Sequence, residues 1–147
     1  MGKGRRVLAA TMAGISLASV ASSAAAAPRF TGPRPVTQLL PTVDPNDPTW
    51  VGVRWTTDRR VCDVKVTVWG NRSVRVDYAG RAGYASFRRG DTLRPGRTDV
   101  TAFRVTARFD RPVWAILAAT ITYDHCGRNS RTLTRNTGLL LPVRGDT

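Results

Sequence analysis

From residue 50 onward the hydrophobic side chains recur at every second position. That is the period of a strand with two distinct faces, not the spacing of a helix. Val51, Val53 and Trp55 alternate with Gly52, Arg54 and Thr56, and Cys62, Val64, Val66 and Val68 alternate with Asp63, Lys65, Thr67 and Trp69. Gly70-Asn71 reads as a turn, after which Val74, Val76 and Tyr78 resume the alternation. A Gly-rich connection leads to a short expected strand at 84–88. Farther on, Thr101, Phe103, Val105, Ala107 and Phe109 line one face, with Ala102, Arg104, Thr106 and Arg108 on the other. Residues 113–123 are apolar on both faces, which predicts a central strand covered on both sides or one interrupted by a bulge. A last strand is expected at 139–143, after a polar loop holding Arg128, Arg131 and Arg135.

Seven or eight short strands separated by Gly/Pro turns, with no helical pattern among them, predict an all-β fold. The architecture they favour is an antiparallel two-sheet sandwich, immunoglobulin-like in the broad sense. Six of the nine prolines fall between Pro28 and Pro48, so residues 27–49 are expected to be extended, with at most one edge strand at 36–40. The sandwich is expected over residues 50–147.

The N-terminus has another character. Lys3, Arg5 and Arg6 precede an apolar run from Val7 to Val20 and a small-residue tail, the layout of a secretory leader. Overlapping Ala-Ala-Ala sites allow cleavage after Ala26 or Ala27, and Pro28 disfavours the second, so residues 1–26 are read as the signal peptide. The run is shorter than the roughly 20 residues of a membrane helix, so no membrane span is expected in the mature, secreted form. Export decides how Cys62 and Cys126 are read, because two thiols in an oxidising compartment pair. Closing a loop of about 64 residues is worth roughly 4 kcal/mol on the chain-entropy estimate. This spacing is in the range seen when a disulfide pins one sheet of a sandwich to the other.

Charge adds a candidate function. The chain carries 23 Lys and Arg against 10 acidic residues, a formal charge of +13, and every acid is Asp. Such a surface suits an anionic partner: a cell-envelope polymer, an acidic polysaccharide or an anionic lipid. On the outward side of the expected strands, Arg54, Lys65, Arg104 and Arg108 could form one anion-binding stripe, with Trp69 placed to stack on a sugar or base. No helix-turn-helix, zinc-finger, RRM or KH pattern is present, so specific nucleic-acid binding is not expected. The competing reading is a solubilising, Arg-rich composition, with Arg59, Arg60, Arg88, Arg89, Arg94 and Arg97 dispersed over turns.

The residues 54–57 (Arg-Trp-Thr-Thr), 62–68 (Cys-Asp-Val-Lys-Val-Thr-Val), 84–93 (Tyr-Ala-Ser-Phe-Arg-Arg-Gly-Asp-Thr-Leu) and 101–107 (Thr-Ala-Phe-Arg-Val-Thr-Ala) resemble small secreted proteins of high-GC Gram-positive bacteria. The resemblance spans about half the mature chain and implies export without implying an activity.

Catalysis lacks parts. The ten Asp residues form no recognisable acid/base pair. His125 is the only histidine, and Ser73, Ser86 and Ser130 lie in no G-x-S-x-G elbow. No phosphate-cradling, metal-ligand or cofactor motif appears. A non-catalytic binding protein is therefore expected, with no cofactor and no metal. The alternatives are an extracellular inhibitor acting through the exposed loop 88–96 and, more remotely, a small hydrolase built on His125. Arg-Gly-Asp occurs at 89–91 and 144–146, both in expected turns or ends, and Asn71-Arg72-Ser73 reads as a turn.

Overall fold

The computed structural model describes residues 32–145, so the leader expected at 1–26 and its cleavage site lie outside the described residues. The described residues form seven strands: β1 (Arg34–Pro35), β2 (Thr49–Thr56), β3 (Val61–Trp69), β4 (Val74–Asp77), β5 (Asp99–Ala107), β6 (Val113–His125) and β7 (Thr132–Val143). They form a four-stranded sheet in the order β1-β2-β5-β4 and a three-stranded sheet in the order β3-β6-β7, antiparallel throughout. Four strands on three with these neighbours is the strand order of a constant-type immunoglobulin sandwich.

Alternation explains the core. Val51, Val53 and Trp55 of β2, Thr101, Phe103, Val105 and Ala107 of β5, and Val64, Val66 and Val68 of β3 all point inward. Ala115, Leu117, Ala119 and Ile121 of β6 close against them, with Leu139, Leu141 and Val143 of β7. Trp55 is fully buried, and its indole N–H donates to Thr101 Oγ1 at 2.8 Å, so the largest core side chain leaves no polar atom unsatisfied.

Several expectations are corrected. The disulfide Cys62–Cys126 does not cross between sheets. It joins the start of β3 to the end of β6, adjacent strands of one sheet, with 5.2 Å between Cα atoms. The cause is local: the register shifts between Cys62 and Lys65, and Asp63 has a positive φ of 51°. This bulge breaks the alternation, so Val61 takes the core position and Cys62 turns to a half-buried one. β6 is central in its sheet yet covered on only one side, because Trp114 and Ile116 are exposed. The last strand begins at Thr132, absorbing Arg135 into β7. The segment expected as a strand at 84–88 makes only isolated bridges.

The Pro-rich segment pairs with both sheets in turn. β1 lies on β2 in place of a strand at 36–40, and then Leu39 and Val43 form parallel bridges with Leu140 and Val143 of β7. Leu40 and Val43 thereby join the core. On the opposite side the chain after β4 seals the free edge of β3. Val61 and Leu93 exchange backbone bonds, Val66 and Ala85 do the same, and the Val64 N–H donates to the Asp91 carbonyl. Tyr78 completes the seal: its hydroxyl accepts from the Val68 N–H at 2.7 Å and donates to the Val68 carbonyl at 2.9 Å. The outer edge of β3 and the C-terminal part of β7's outer edge are thus paired, which blocks strand addition along those stretches.

Candidate functional site: an arginine basin and an aromatic groove

At the end of the sandwich where β2 turns into β3 and β5 begins, Arg60, Arg89, Arg94 and Arg97 line one recess of about 300 Å³, together with Thr92, Leu93, Thr98 and Asp99. All four arginines are exposed, and none pairs with a carboxylate among the described residues. Their positions follow from how the loops are tied down. The Thr57 hydroxyl donates to the Arg59 carbonyl in the β2–β3 turn, presenting Arg60. Leu93 is buried and bonded to Val61, so the loop 88–96 is anchored at its middle, while the Arg97 N–H donates to the Arg94 carbonyl in a closing turn.

Asp99 is the single acid in the lining, and it is committed elsewhere. Its side chain is buried and accepts from the Arg89 N–H at 3.2 Å and the Val100 N–H at 2.7 Å. The carboxylate therefore serves the backbone and makes no ion pair with the four guanidinium groups.

A groove of about 550 Å³ runs along the outer face of the four-stranded sheet from the same end. Gly52 and Ala102 are register partners, and the groove is lined by them, by the Trp50 and Tyr84 rings, and by Ser86 and Arg88. Small residues at this pair are what leave the trough: a side chain at Gly52 would meet Val100 at 3.1 Å. At the far end the Arg104 guanidinium lies 5.9 Å from the Trp50 ring centroid, and its Nη2 is 3.8 Å from Asp77, which also holds Arg75 Nε at 3.0 Å. Arg104 Nε is buried without a hydrogen-bond partner among the described residues. Groove and basin meet at Arg88-Arg89, whose N–H groups bond the Val100 carbonyl and the Asp99 carboxylate, neighbours on β5.

The stripe expected from the sequence divides among three places. Arg54 and Arg104 share the outer face of the four-stranded sheet, with Arg54 paired to Val100 in register and Arg104 to Trp50. Arg108 lies past the end of β5, beside Arg72 and Arg75 around a separate recess, with its N–H on the Ser73 carbonyl. Lys65 and Trp69 belong to β3 and face outward on the other sheet, although Lys65 Nζ reaches to 5.4 Å from the Tyr84 ring centroid. His125 stacks on Tyr123 at the disulfide end of β6. The turn at Asn71 is present, with its side chain accepting from the Ser73 N–H at 2.9 Å. The basin was not foreseen, because its arginines come from two loops that only the Val61–Leu93 pairing brings together.

Two titratable groups are displaced. The Asp58 carboxyl is held below the ordinary aspartate range, first by the bond it accepts from the Gly32 N–H, which outweighs an opposing desolvation, and then by its own backbone N–H and the charges of Arg59 and Arg34. The Tyr78 hydroxyl is pushed up by burial, partly offset by the Val68 N–H.

Comparison with known proteins gives no family. No protein-family model matches the chain, and no curated protein matches it. Among solved structures, one similar chain is described as AvmM, which catalyses macrocyclization in alchivemycin A biosynthesis: 13% identity, 72% of this chain and 85% of that one covered, TM-score 0.42. Another is the ASH/PapD-like domain 7 of human CEP192, with 12% identity, 89% and 98% covered, and TM-score 0.38. At these levels neither bears on function, and the fold assignment stands on the strand order above.

Proposed function

We propose that this is an exported, non-catalytic binding module that holds an anionic envelope or extracellular polymer in the arginine basin and along the groove leading from it. The observation that carries this reading is the convergence of Arg60, Arg89, Arg94 and Arg97 on one recess whose only acid is buried and bonded to backbone. A guanidinium stays charged at any physiological pH and presents five donors in a planar fork that fits two anionic oxygens at once. One such exposed group contributes little, but several with a common focus add their fields on an anion of several charges. Beyond the basin, the Trp50 and Tyr84 rings offer flat apolar walls to the backbone of a chain whose charges engage Arg88 and Arg104. Export is supported by the leader pattern and by the Cys62–Cys126 bond, since such bonds persist in oxidising compartments.

The test is fluorescence anisotropy of labelled polyphosphate and labelled poly-glutamate with the whole mature protein. Binding is expected at low ionic strength and is lost as salt screens the exposed charges. The Arg60→Gln, Arg94→Gln double variant weakens it at least tenfold. Binding that ignores both salt and these substitutions contradicts the proposal.

A further inference from the structure

The opposite face of the sandwich differs chemically. Register places the outward residues of β3, β6 and β7 in rows: Lys65, Thr122 and Thr134; then Thr67, Thr120 and Asn136; then Trp69, Ala118 and Gly138; then Ile116 with Leu140; and last Trp114 with Pro142. After the Lys65 row, four successive rows carry no charge, on a chain with 33 charged side chains among its 147 residues. The far rows are apolar and open to solvent: Trp69 is 52% exposed, Trp114 65% and Ile116 68%. Leu39, bridged to Leu140, extends the same surface. The near rows offer hydroxyl and amide groups, with the Thr120 hydroxyl donating to Asn136 Oδ1 at 2.7 Å.

We infer that this face is a second binding platform, distinct from the basin, for an uncharged extended polysaccharide. Three features select that partner. First, the absence of charge matches a neutral ligand and gives a polyanion nothing to hold. Second, two exposed indoles on a flat sheet suit the apolar faces of pyranose rings, while the neighbouring threonines and Asn136 can exchange hydrogen bonds with ring hydroxyls. Trp69 aligns with Ala118, four residues along β6 from Trp114, so the two indoles are separated by roughly 13 Å along the strands, a distance bridged only by a ligand longer than one sugar. Third, size excludes a stable pair of copies. Three strands at about 4.8 Å and three apolar rows at about 6.7 Å span roughly 300 Å², whereas a stable interface takes about 800 Å² from each partner. Apolar patches of about this size are often functional.

The experiment is depletion of the mature protein from solution by insoluble chitin and by microcrystalline cellulose in about 1 M NaCl, where exposed charges are screened within roughly 3 Å. Retention on at least one solid is expected. Trp69→Ala and Trp114→Ala each lower the affinity roughly tenfold, while Trp114→Tyr, which keeps a stacking ring, stays within a few-fold of the native protein. Both tryptophans are exposed, so an unchanged melting temperature should accompany the loss, and the tyrosine variant covers the case in which an alanine variant misfolds. Trp50→Ala and the Arg60→Gln, Arg94→Gln protein keep full retention, so failure of this platform and failure of the basin are separately visible. The inference is overturned by absence of retention on both solids or by retention indifferent to the two tryptophans. It is equally overturned by a concentration-dependent dimer in sedimentation velocity that Trp69→Ala abolishes, which would assign the face to a second copy.

Discussion

The two outer faces of the sandwich obey one folding rule and carry opposite chemistry. Each presents every second residue outward from strands whose inward residues build a common apolar core. The four-stranded sheet shows Trp50, Arg54, Arg104 and Arg75 and ends in a basin of four unpaired arginines, whereas the three-stranded sheet beyond Lys65 shows only neutral side chains. The core fixes which positions face outward and is indifferent to what they are. A chain this basic, with arginine only as solubilising decoration, has no reason to keep four rows of one face free of charge. The partition is what the two proposed surfaces, with two ligand chemistries, require.

The largest effect that bears on this comparison is expected at the disulfide. The bond ties β3 to β6, the two strands that carry Trp69 and Trp114, and its loss removes up to about 4 kcal/mol on the chain-entropy estimate. Chemical denaturation of the Cys62→Ser, Cys126→Ser protein should show this, and an unchanged midpoint would contradict it. Next is Tyr78→Phe, which strips both bonds from Val68 at the sealed edge of β3 and costs about 1–3 kcal/mol. The same hydroxyl, with its raised pKa, contributes stability that is present below the ordinary tyrosine value and lost as pH rises through the raised one. Thermal melts of the two proteins should therefore converge at strongly alkaline pH. At the basin, the Arg60→Gln, Arg94→Gln double variant should lose at least tenfold in polyphosphate affinity, about 1.4 kcal/mol, with no change in melting temperature. Smallest is Asp58→Asn. Because the native carboxyl titrates below the ordinary aspartate range, its contribution is present above that range and disappears as pH falls through the lowered value. The variant should melt slightly below the native protein at neutral pH and alongside it in strong acid.

Where alternation was unbroken, the sequence alone placed the residues correctly: Val51, Val53 and Trp55, and Thr101, Phe103, Val105 and Ala107, face the core as their period demands. It failed where a backbone irregularity or a distant contact intervened. The bulge at Asp63 exchanged Cys62 for Val61 in the core, which made a bond within one sheet resemble one between sheets. A doubly apolar β6 suggested cover on both sides, because a buried strand and an outer recognition surface draw on the same residue types. The candidate stripe divided because the chain changes sheets between β2 and β3 and again between β3 and β4: β2 and β5 carry Arg54 and Arg104, and β3 carries Lys65 and Trp69. The basin was illegible for a related reason. Arg60 and Arg94 lie in different loops, and only the Val61–Leu93 pairing makes them neighbours.

Chemical-shift mapping by NMR during titration with polyphosphate tests the division of the two faces most directly. The account predicts that the largest perturbations fall on the amides and side chains of Arg60, Arg89, Arg94 and Arg97, extend to Arg88 and Trp50, and leave Trp69, Trp114 and Ile116 unmoved. Perturbations spread evenly over the molecule, or centred on Trp69 and Trp114, would contradict it.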